Sequence, residues 1–316
     1  MGVPLVDLSG WFDGTRRAEV AGRVDAALRE SGFLLITGHG VPDDLRARTR
    51  ALTREFFALP TPGKQPYAVR TGGRGWLPPD EQATGRADGA MAPPDLKETL
   101  AFGSDDPAGG DPFFFRPNVF PTQVPGLQAA VTEYVRRMRA LSDELLTIFA
   151  VALGEPETLF TRHTGNASYT LNVNHYPPLR QVGPAGPGQF RIGEHTDFGT
   201  VTILDRQHGV GGLQVRTLDG VWENAPFDPA AFTVNIGDLM ARWTSDRWRS
   251  TPHRVLPPDA SAPDEDLVSL IFFYNTDHDA RIVSLDGRYP EVVGGEYLRA
   301  KLQAISIGQR TVRGDR

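Results

Sequence analysis

In the stretch RIGEHTDFGTVTIL, residues 191–204, a histidine and an aspartate stand two positions apart among alternating apolar residues. Read as one β-strand, period-two geometry turns His195 and Asp197 to one face, and Glu194, Thr196 and Phe198 to the other. An imidazole and a carboxylate converging on one side of a sheet are two-thirds of a metal site. The chain holds seven histidines and no cysteine, so a third ligand has to be a histidine or a carboxylate. His39, in the turn GHGVP, reads as a local hydrogen-bonding residue, and His175 faces away from Asn174 and Tyr176 on an alternating strand. His163, His208 and His278 fall at a helix end or in polar turns, where exposure is the default. His253, at the start of an apolar strand in RSTPHRVLPP, is the remaining choice.

Two histidines and one carboxylate with open positions make the facial triad used by non-haem iron(II) oxygenases. As a bare pattern this is weak, because buried His–Asp pairs are common. A zinc hydrolase would use similar ligands with a general base beside the water. Glu194 is the neighbouring carboxylate, but alternation points it to the wrong face.

Positioning such a triad requires strands that return to one place. After residue 165 the chain has SYTLNVNHYPP, FRIGEHTDFGTVTILD, GGLQVRT, FTVNIGD, HRVLPP, LVSLIFFYNT and RIVSL, short strand-like runs broken by Gly, Pro and Asp turns. These predict a barrel or jelly roll. Ahead of them, Val20, Val24 and Leu28 predict a helix capped by Thr15 and ended by Gly32, and FLLIT (33–37) a buried strand. A second helix follows Pro42, with Leu45, Leu52, Phe56 and Leu59 on one side. Residues 60–125 read as long loops with a few short strands. The longest helix is predicted over 126–153, striped by Val131, Val135, Met138, Leu141, Leu145 and Ile148, with Gly154 as its C-cap. A last helix is expected at roughly 294–305. The organisation expected is an N-terminal mixed region (1–125), a central helix (126–164), a jelly-roll core (165–285) and a C-terminal helix and tail (286–316), forming one compact unit. Asp7 and Asp238 read as turn or capping residues, Trp243 and Trp248 as core or rim, and Phe113–Phe115 as either pocket wall or loop anchor.

The 316 residues are 40% hydrophobic and 23% charged, the balance of a soluble globular chain. A net charge of -6, with no basic run, argues against a nucleic-acid partner. The N-terminus has no leader-like pattern and no apolar run is long enough to span a membrane, so a cytoplasmic protein is expected.

The order and spacing of VPLVDLSG, SGFLLITGHGVP, REFFALP, DLKETLAFG, VALGEP, NHYPP, HTDFGTVTIL, GGLQV, VNIGDLMARWTSDRWRSTPHRV and SLIFFYN resemble, nearly end to end, the isopenicillin N synthase-like group of iron(II)- and 2-oxoglutarate-dependent oxygenases. The resemblance implies a mainly β chain, with a double-stranded β-helix (jelly roll) core flanked by helices. It makes His195, Asp197 and His253 the iron(II) ligands, and it maps the family's Asn-x-Tyr onto Asn174 and Tyr176 as contacts to the 2-oxoglutarate cosubstrate. It implies that O2 and a small-molecule substrate react with release of succinate and CO2, by hydroxylation or by desaturation or cyclisation.

One position departs from the pattern. The family's Arg-x-Ser, whose arginine pairs with the far carboxylate of 2-oxoglutarate, aligns with Leu267-Val268-Ser269. Ser269 is kept, but leucine can offer neither charge nor hydrogen bond to a buried carboxylate. Arg191, with the parity of His195, is the first candidate to replace it; an exposed or interface arginine is the plainer reading of the same residue. A different 2-oxo acid, a cosubstrate-independent oxidase of the isopenicillin N synthase type, and a non-catalytic jelly-roll binding protein remain as alternatives.

Overall fold

In the computed structural model, which describes residues 2–85, 93–105 and 110–313 (side chains only as far as 303), period-two alternation builds two facing sheets. The strands that matter are β1 (Leu5–Asp7), β2 (Phe33–Thr37), β3 (Gly75–Leu77), β4 (Glu98–Gly103), β5 (Tyr169–Tyr176), β6 (Ile192–His195), β7 (Val201–Asp205), β8 (Leu213–Arg216), β9 (Trp222–Asn224), β10 (Phe232–Ile236), β11 (His253–Val255) and β12 (Leu267–Tyr274). The large sheet has the order β1-β2-β10-β7-β12-β5-β4-β3 and the small one β6-β11-β8-β9. β1 and β2 run parallel, while the other pairs in these two sheets are antiparallel. This is the expected jelly roll. Strands from the first third of the chain complete its large sheet.

Alternation then sorts the side chains of each strand. Leu34 and Ile36, Ile203, Phe232 and Val234, Leu171 and Val173, and Leu270 and Phe272 face outward and pack with the helices in one large apolar core. Burial of each such side chain stabilises the fold by roughly 1.5–3 kcal/mol. The opposite parity is more polar. Asn174, Tyr176, Thr202, Asn235, Leu267 and Ser269 line a cavity between the sheets, which are joined there by a small cluster around Phe33, Leu35, Leu213 and Val215.

Three helices back the large sheet. Leu127–Leu153 begins after Gly126 (φ 86°) and ends at Gly154 (φ 75°), as its apolar stripe predicts. Arg17–Glu30 packs beside it, and Asp43–Phe57 carries Leu45 and Phe56 into the core. Asp205 on β7 is buried against this last helix, held by Arg46 (2.9 Å) and Arg50 (2.6 Å).

Several local expectations fail for identifiable reasons. Thr15 does not cap the first long helix; its N–H and hydroxyl both donate to Oδ1 of Asp13. Leu59 lies two residues past the second long helix. Asp238, read as a turn or capping residue, opens a short helix, Asp238–Trp243, and the last helix runs from Gly294 to Arg313. His163 and His278 are half-buried, and the His163 ring meets the Trp243 ring edge-on at 5.3 Å. Most consequential, residues 191–204 are not one strand. β6 belongs to the small sheet and β7 to the large one, so the chain must turn between His195 and Val201 to change layers.

Candidate active site

His195 is the last residue of β6 and His253 the first of β11, and the two are direct cross-strand partners. Their rings lie 4.2 Å apart between centroids. Asp197 joins them from the turn between the sheets. That turn is held by the helix Asp238–Trp243, whose first amides donate to its carbonyls: Asp238 to Asp197 (2.8 Å), Leu239 to Phe198 (3.0 Å) and Met240 to Gly199 (3.3 Å). The turn thereby satisfies helix N–H groups that would otherwise lack partners. Gly237 permits the approach, since a Cβ there would fall 2.6 Å from Gly199 O and 2.9 Å from Asp197 O.

Each metal-facing atom is defined by what the other atoms of its side chain do. His195 Nδ1 sits 2.8 Å from Gly193 O and His253 Nδ1 3.1 Å from Thr251 O. A carbonyl only accepts, so both Nδ1 atoms donate to it, and in the neutral ring the lone pair then sits on Nε2, facing the centre. Asp197 Oδ2 accepts hydrogen bonds from Thr202 Oγ1 (2.6 Å) and Asn235 Nδ2 (2.7 Å). Oδ1 is left facing the two Nε2 atoms at 3.7 and 3.8 Å, too far for hydrogen bonds. Among the described residues, this is the one group of three or more such side chains whose ligand atoms cluster so, all within 4.8 Å.

Electrostatics favour the same protonation states. Burial, with His195 adding to it, pushes the His253 pKa down to about 4, so its imidazole is neutral at neutral pH. Burial alone would raise the Asp197 pKa; His253, His195 and the bonds from Thr202 and Asn235 outweigh it and hold the carboxyl below its ordinary value. A carboxylate and two imidazoles suit a divalent transition metal and leave further coordination positions open, so the donor set fits iron(II).

The triad opens into a cavity of about 390 Å³, within the range of small-molecule sites. Asn174, Tyr176, Ser269, Leu267 and Arg191 all line it, so every expected site residue meets there. Asn174 Oδ1 accepts from Thr99 Oγ1 (2.8 Å), and burial raises the Tyr176 pKa to about 12, so its phenol keeps its proton. Arg191 is neither exposed nor at an interface edge: it is 2% exposed, its guanidinium lies 5.1 Å from the Tyr176 ring, and Nη1 binds Glu265 Oε1 at 2.6 Å. Its Nη2 is buried without a hydrogen-bond partner.

Other groups fall outside the centre. Glu194 is exposed and reaches Arg216 at 3.5 Å. His39 accepts from the Val41 amide, and His175 pairs with Glu98 on the helix side of the sheet. Phe114 and Phe115 are anchored against Leu298. Sequence reading overlooked Thr202 and Asn235, which orient Asp197, and Arg206, which also lines the cavity. All three share the inward parity of their strands, which was the available signal.

Comparison with known proteins agrees with this geometry. The 2OG-Fe(II) oxygenase superfamily matches residues 167–276, and the family described as non-haem dioxygenase in morphine synthesis, N-terminal, matches residues 3–123. The chain belongs to the 2-oxoglutarate- and iron(II)-dependent oxygenases, and it is an iron(II)/2-oxoglutarate-dependent dioxygenase. It is 42% identical over 313 residues to validamycin A dioxygenase of Streptomyces hygroscopicus subsp. limoneus, covering 97% of this chain and 84% of that one. It is 33% identical to the 2-oxoglutarate-dependent dioxygenase tropC of Talaromyces stipitatus, over 95% and 94% of the two chains. Among solved structures, a full-length Neurospora crassa protein in complex with alpha-KG superimposes with a TM-score of 0.83 at 27% identity, covering 95% of this chain and 96% of that one.

Proposed function

We propose that His195, Asp197 and His253 hold the iron(II), that Asn174, Tyr176, Ser269 and Arg191 contact the 2-oxoglutarate, and that the substrate is a small natural-product molecule. The observation that carries the metal assignment is the division of labour in the triad. Every second heteroatom is occupied by a protein partner, and three free donor atoms face one another.

Iron(II) with 2-oxoglutarate and O2 supplies the oxidising power for attack on an unactivated C–H bond, with succinate and CO2 as co-products. The chain's own residues position and shield. Thr202 and Asn235 fix the carboxylate rotamer of Asp197, so that Oδ1 and not Oδ2 is presented. The neutral Tyr176 phenol, the Ser269 hydroxyl and the spare Nη2 of Arg191 are donors that a carboxylate can accept from. Leu204, Ile271 and Phe273 give the cavity apolar walls that exclude water from the reacting centre.

The likeness to validamycin A dioxygenase over nearly the whole chain supports a natural-product substrate, and hydroxylation is the outcome we favour. Specificity is assigned to the loops of residues 70–120 and to the C-terminal helix; residues 86–92 and 106–109 of that stretch lie outside the described residues. The acidic balance supports a free small molecule over a nucleic acid, and no helix among the described residues is long and apolar enough to cross a membrane. Reliance on an intracellular metabolite supports a cytoplasmic setting.

The test is anaerobic loading with iron(II), followed by 2-oxoglutarate, and then O2 with a substrate panel that begins with validamycin A. A weak visible charge-transfer band, succinate release and a mass gain of one oxygen on substrate are expected. An Asp197→Ala protein that still binds iron and gives the full band would overturn the ligand assignment.

A further inference from the structure

A carboxylate taken into this cavity needs a positive charge, and position 267 supplies leucine. Two arginines reach the cavity from other places, and they differ in what they already hold. Arg191 is matched: Glu265, itself 8% exposed in its side chain, sits 2.6 Å from its Nη1, so the pair brings a hydrogen-bond donor but little net charge. Arg206 is unmatched. Among the described residues no carboxylate lies within ion-pair distance of it, and the adjacent Asp205 points to the opposite face, where Arg46 and Arg50 hold it.

The guanidinium of Arg206 is nonetheless fixed in place. Nε donates to Thr233 Oγ1 (3.2 Å), Nη2 donates to the carbonyls of Ala225 and Pro226, and the Phe227 ring lies 5.4 Å from Cζ. Nη1 is hydrogen-bonded to none of the described residues. Burial lowers the Arg206 pKa to about 10. Arg206 is half-buried, and a cation partly removed from water without a counter-charge carries a cost that an anion binding beside it recovers.

Register places Arg206 where the leucine falls short. β7 and β12 pair with Leu270 opposite Asp205, so the next residue of the chain, Arg206, comes beside Ser269. Ser269 faces Asn174 on β5, and Leu267 faces Tyr176. Extending that register, the Arg206 backbone stands one strand over from position 267, beside Ser269 and on the same inward face, while its guanidinium is anchored on the β10 side at Thr233 with Nη1 uncommitted. We propose that Arg206 supplies, from the neighbouring strand, the positive charge that holds the distal carboxylate of 2-oxoglutarate, with the Ser269 and Tyr176 hydroxyls completing its hydrogen bonds. The charge has moved across the sheet while the cavity keeps its polarity.

This inference rests on 2-oxoglutarate occupying the cavity, and the experiment separates the two claims. Anaerobic iron(II) protein is titrated with 2-oxoglutarate and, in parallel, with 2-oxobutanoate, which has the same metal-binding end but no distal carboxylate; the visible band gives each Kd. Arg206→Leu should weaken 2-oxoglutarate by ~30-fold or more while leaving 2-oxobutanoate within about twofold. Arg206→Lys should retain part of the affinity, and Arg206→Leu combined with Leu267→Arg should regain it. Arg206→Gln, which can still donate to the carbonyls of Ala225 and Pro226, is measured alongside in case the leucine protein fails to fold. An unchanged 2-oxoglutarate Kd in folded Arg206 variants, an equal loss for both acids, or the selective loss arising from Arg191→Leu instead would overturn the proposal. If the unsubstituted protein binds iron but gives no band with 2-oxoglutarate, the cosubstrate assignment of the cavity itself falls.

Discussion

Thr202 donates its hydroxyl to Oδ2 of Asp197 at 2.6 Å, and this bond decides which oxygen of the carboxylate faces the histidines. Partners that orient metal ligands typically change metal affinity 10- to 100-fold when removed. Thr202→Val, which keeps the shape and deletes the donor, is expected to raise the iron(II) Kd by ~10-fold, and Thr202→Val with Asn235→Leu by ~100-fold. Competition against a chromophoric chelator measures both, and an unchanged affinity in the double variant would show that the rotamer is fixed in another way.

Gly237 carries a different kind of constraint. A methyl group there would press on the carbonyls of Asp197 and Gly199, so the turn has to move. Gly237→Ala is expected to destabilise the protein by ~1–3 kcal/mol and to lower iron affinity together with stability. Ala241→Gly, in the same short helix but away from the turn, serves as the comparison; it is expected to lose stability and keep iron affinity.

The Asp205 carboxylate is fully buried between two arginines of the helix Asp43–Phe57. Removing it strands Arg50 without a counter-charge and leaves Arg46 only the exposed Asp43, 2.8 Å away. Asp205→Ala is expected to cost ~3–5 kcal/mol in denaturant unfolding. A loss below ~1 kcal/mol would mean that Arg46 and Arg50 find water or other acceptors.

Glu98 gives a pH signature. Burial alone would raise its pKa, but the bonds from His175 and Lys64 prevail and hold it below the ordinary glutamate value. A carboxyl depressed in the folded state contributes stability that is complete above its unfolded pKa and is lost as pH falls through the folded one. The stability gap between the parent and Glu98→Gln should therefore be constant from neutral pH down to about 5 and narrow below about 4.5. Chemical denaturation at a series of pH values checks it; a gap that widened on acidification would reverse the sign of the argument.

Much of this architecture was readable from residue types at period two or period 3.6. The stripe from Val131 to Ile148 and the glycines at 126 and 154 define the long helix. The alternation of Asn174 and Ser269 with the apolar Val173, Val268 and Leu270 marks the cavity face. The triad was legible for a less secure reason: the residue types were right, but Asp197 reaches the histidines through a turn between layers and not by strand parity. Alternation continues across that turn, so periodicity could not reveal that residues 192–195 and 201–205 sit in different sheets. Strand parity marked Arg206 as inward, but its place beside Ser269 depends on a long-range register that no local pattern encodes. Glu265, which neutralises Arg191, was equally out of reach.

The three metal donors are not distributed evenly over the fold. His195 and His253 ride on the small sheet, while Asp197 is fastened through Thr202 and Asn235 to the large one. An ion held by all three is therefore a rivet through both layers, beside the apolar cluster whose Phe33 ring meets the His253 ring edge-on at 5.2 Å. Loading the metal should quieten the opening of the small sheet well before it affects the helical side. Amides of β6, β11 and β8 would then exchange more slowly in the loaded protein, while those of the helix Leu127–Leu153 keep their rates.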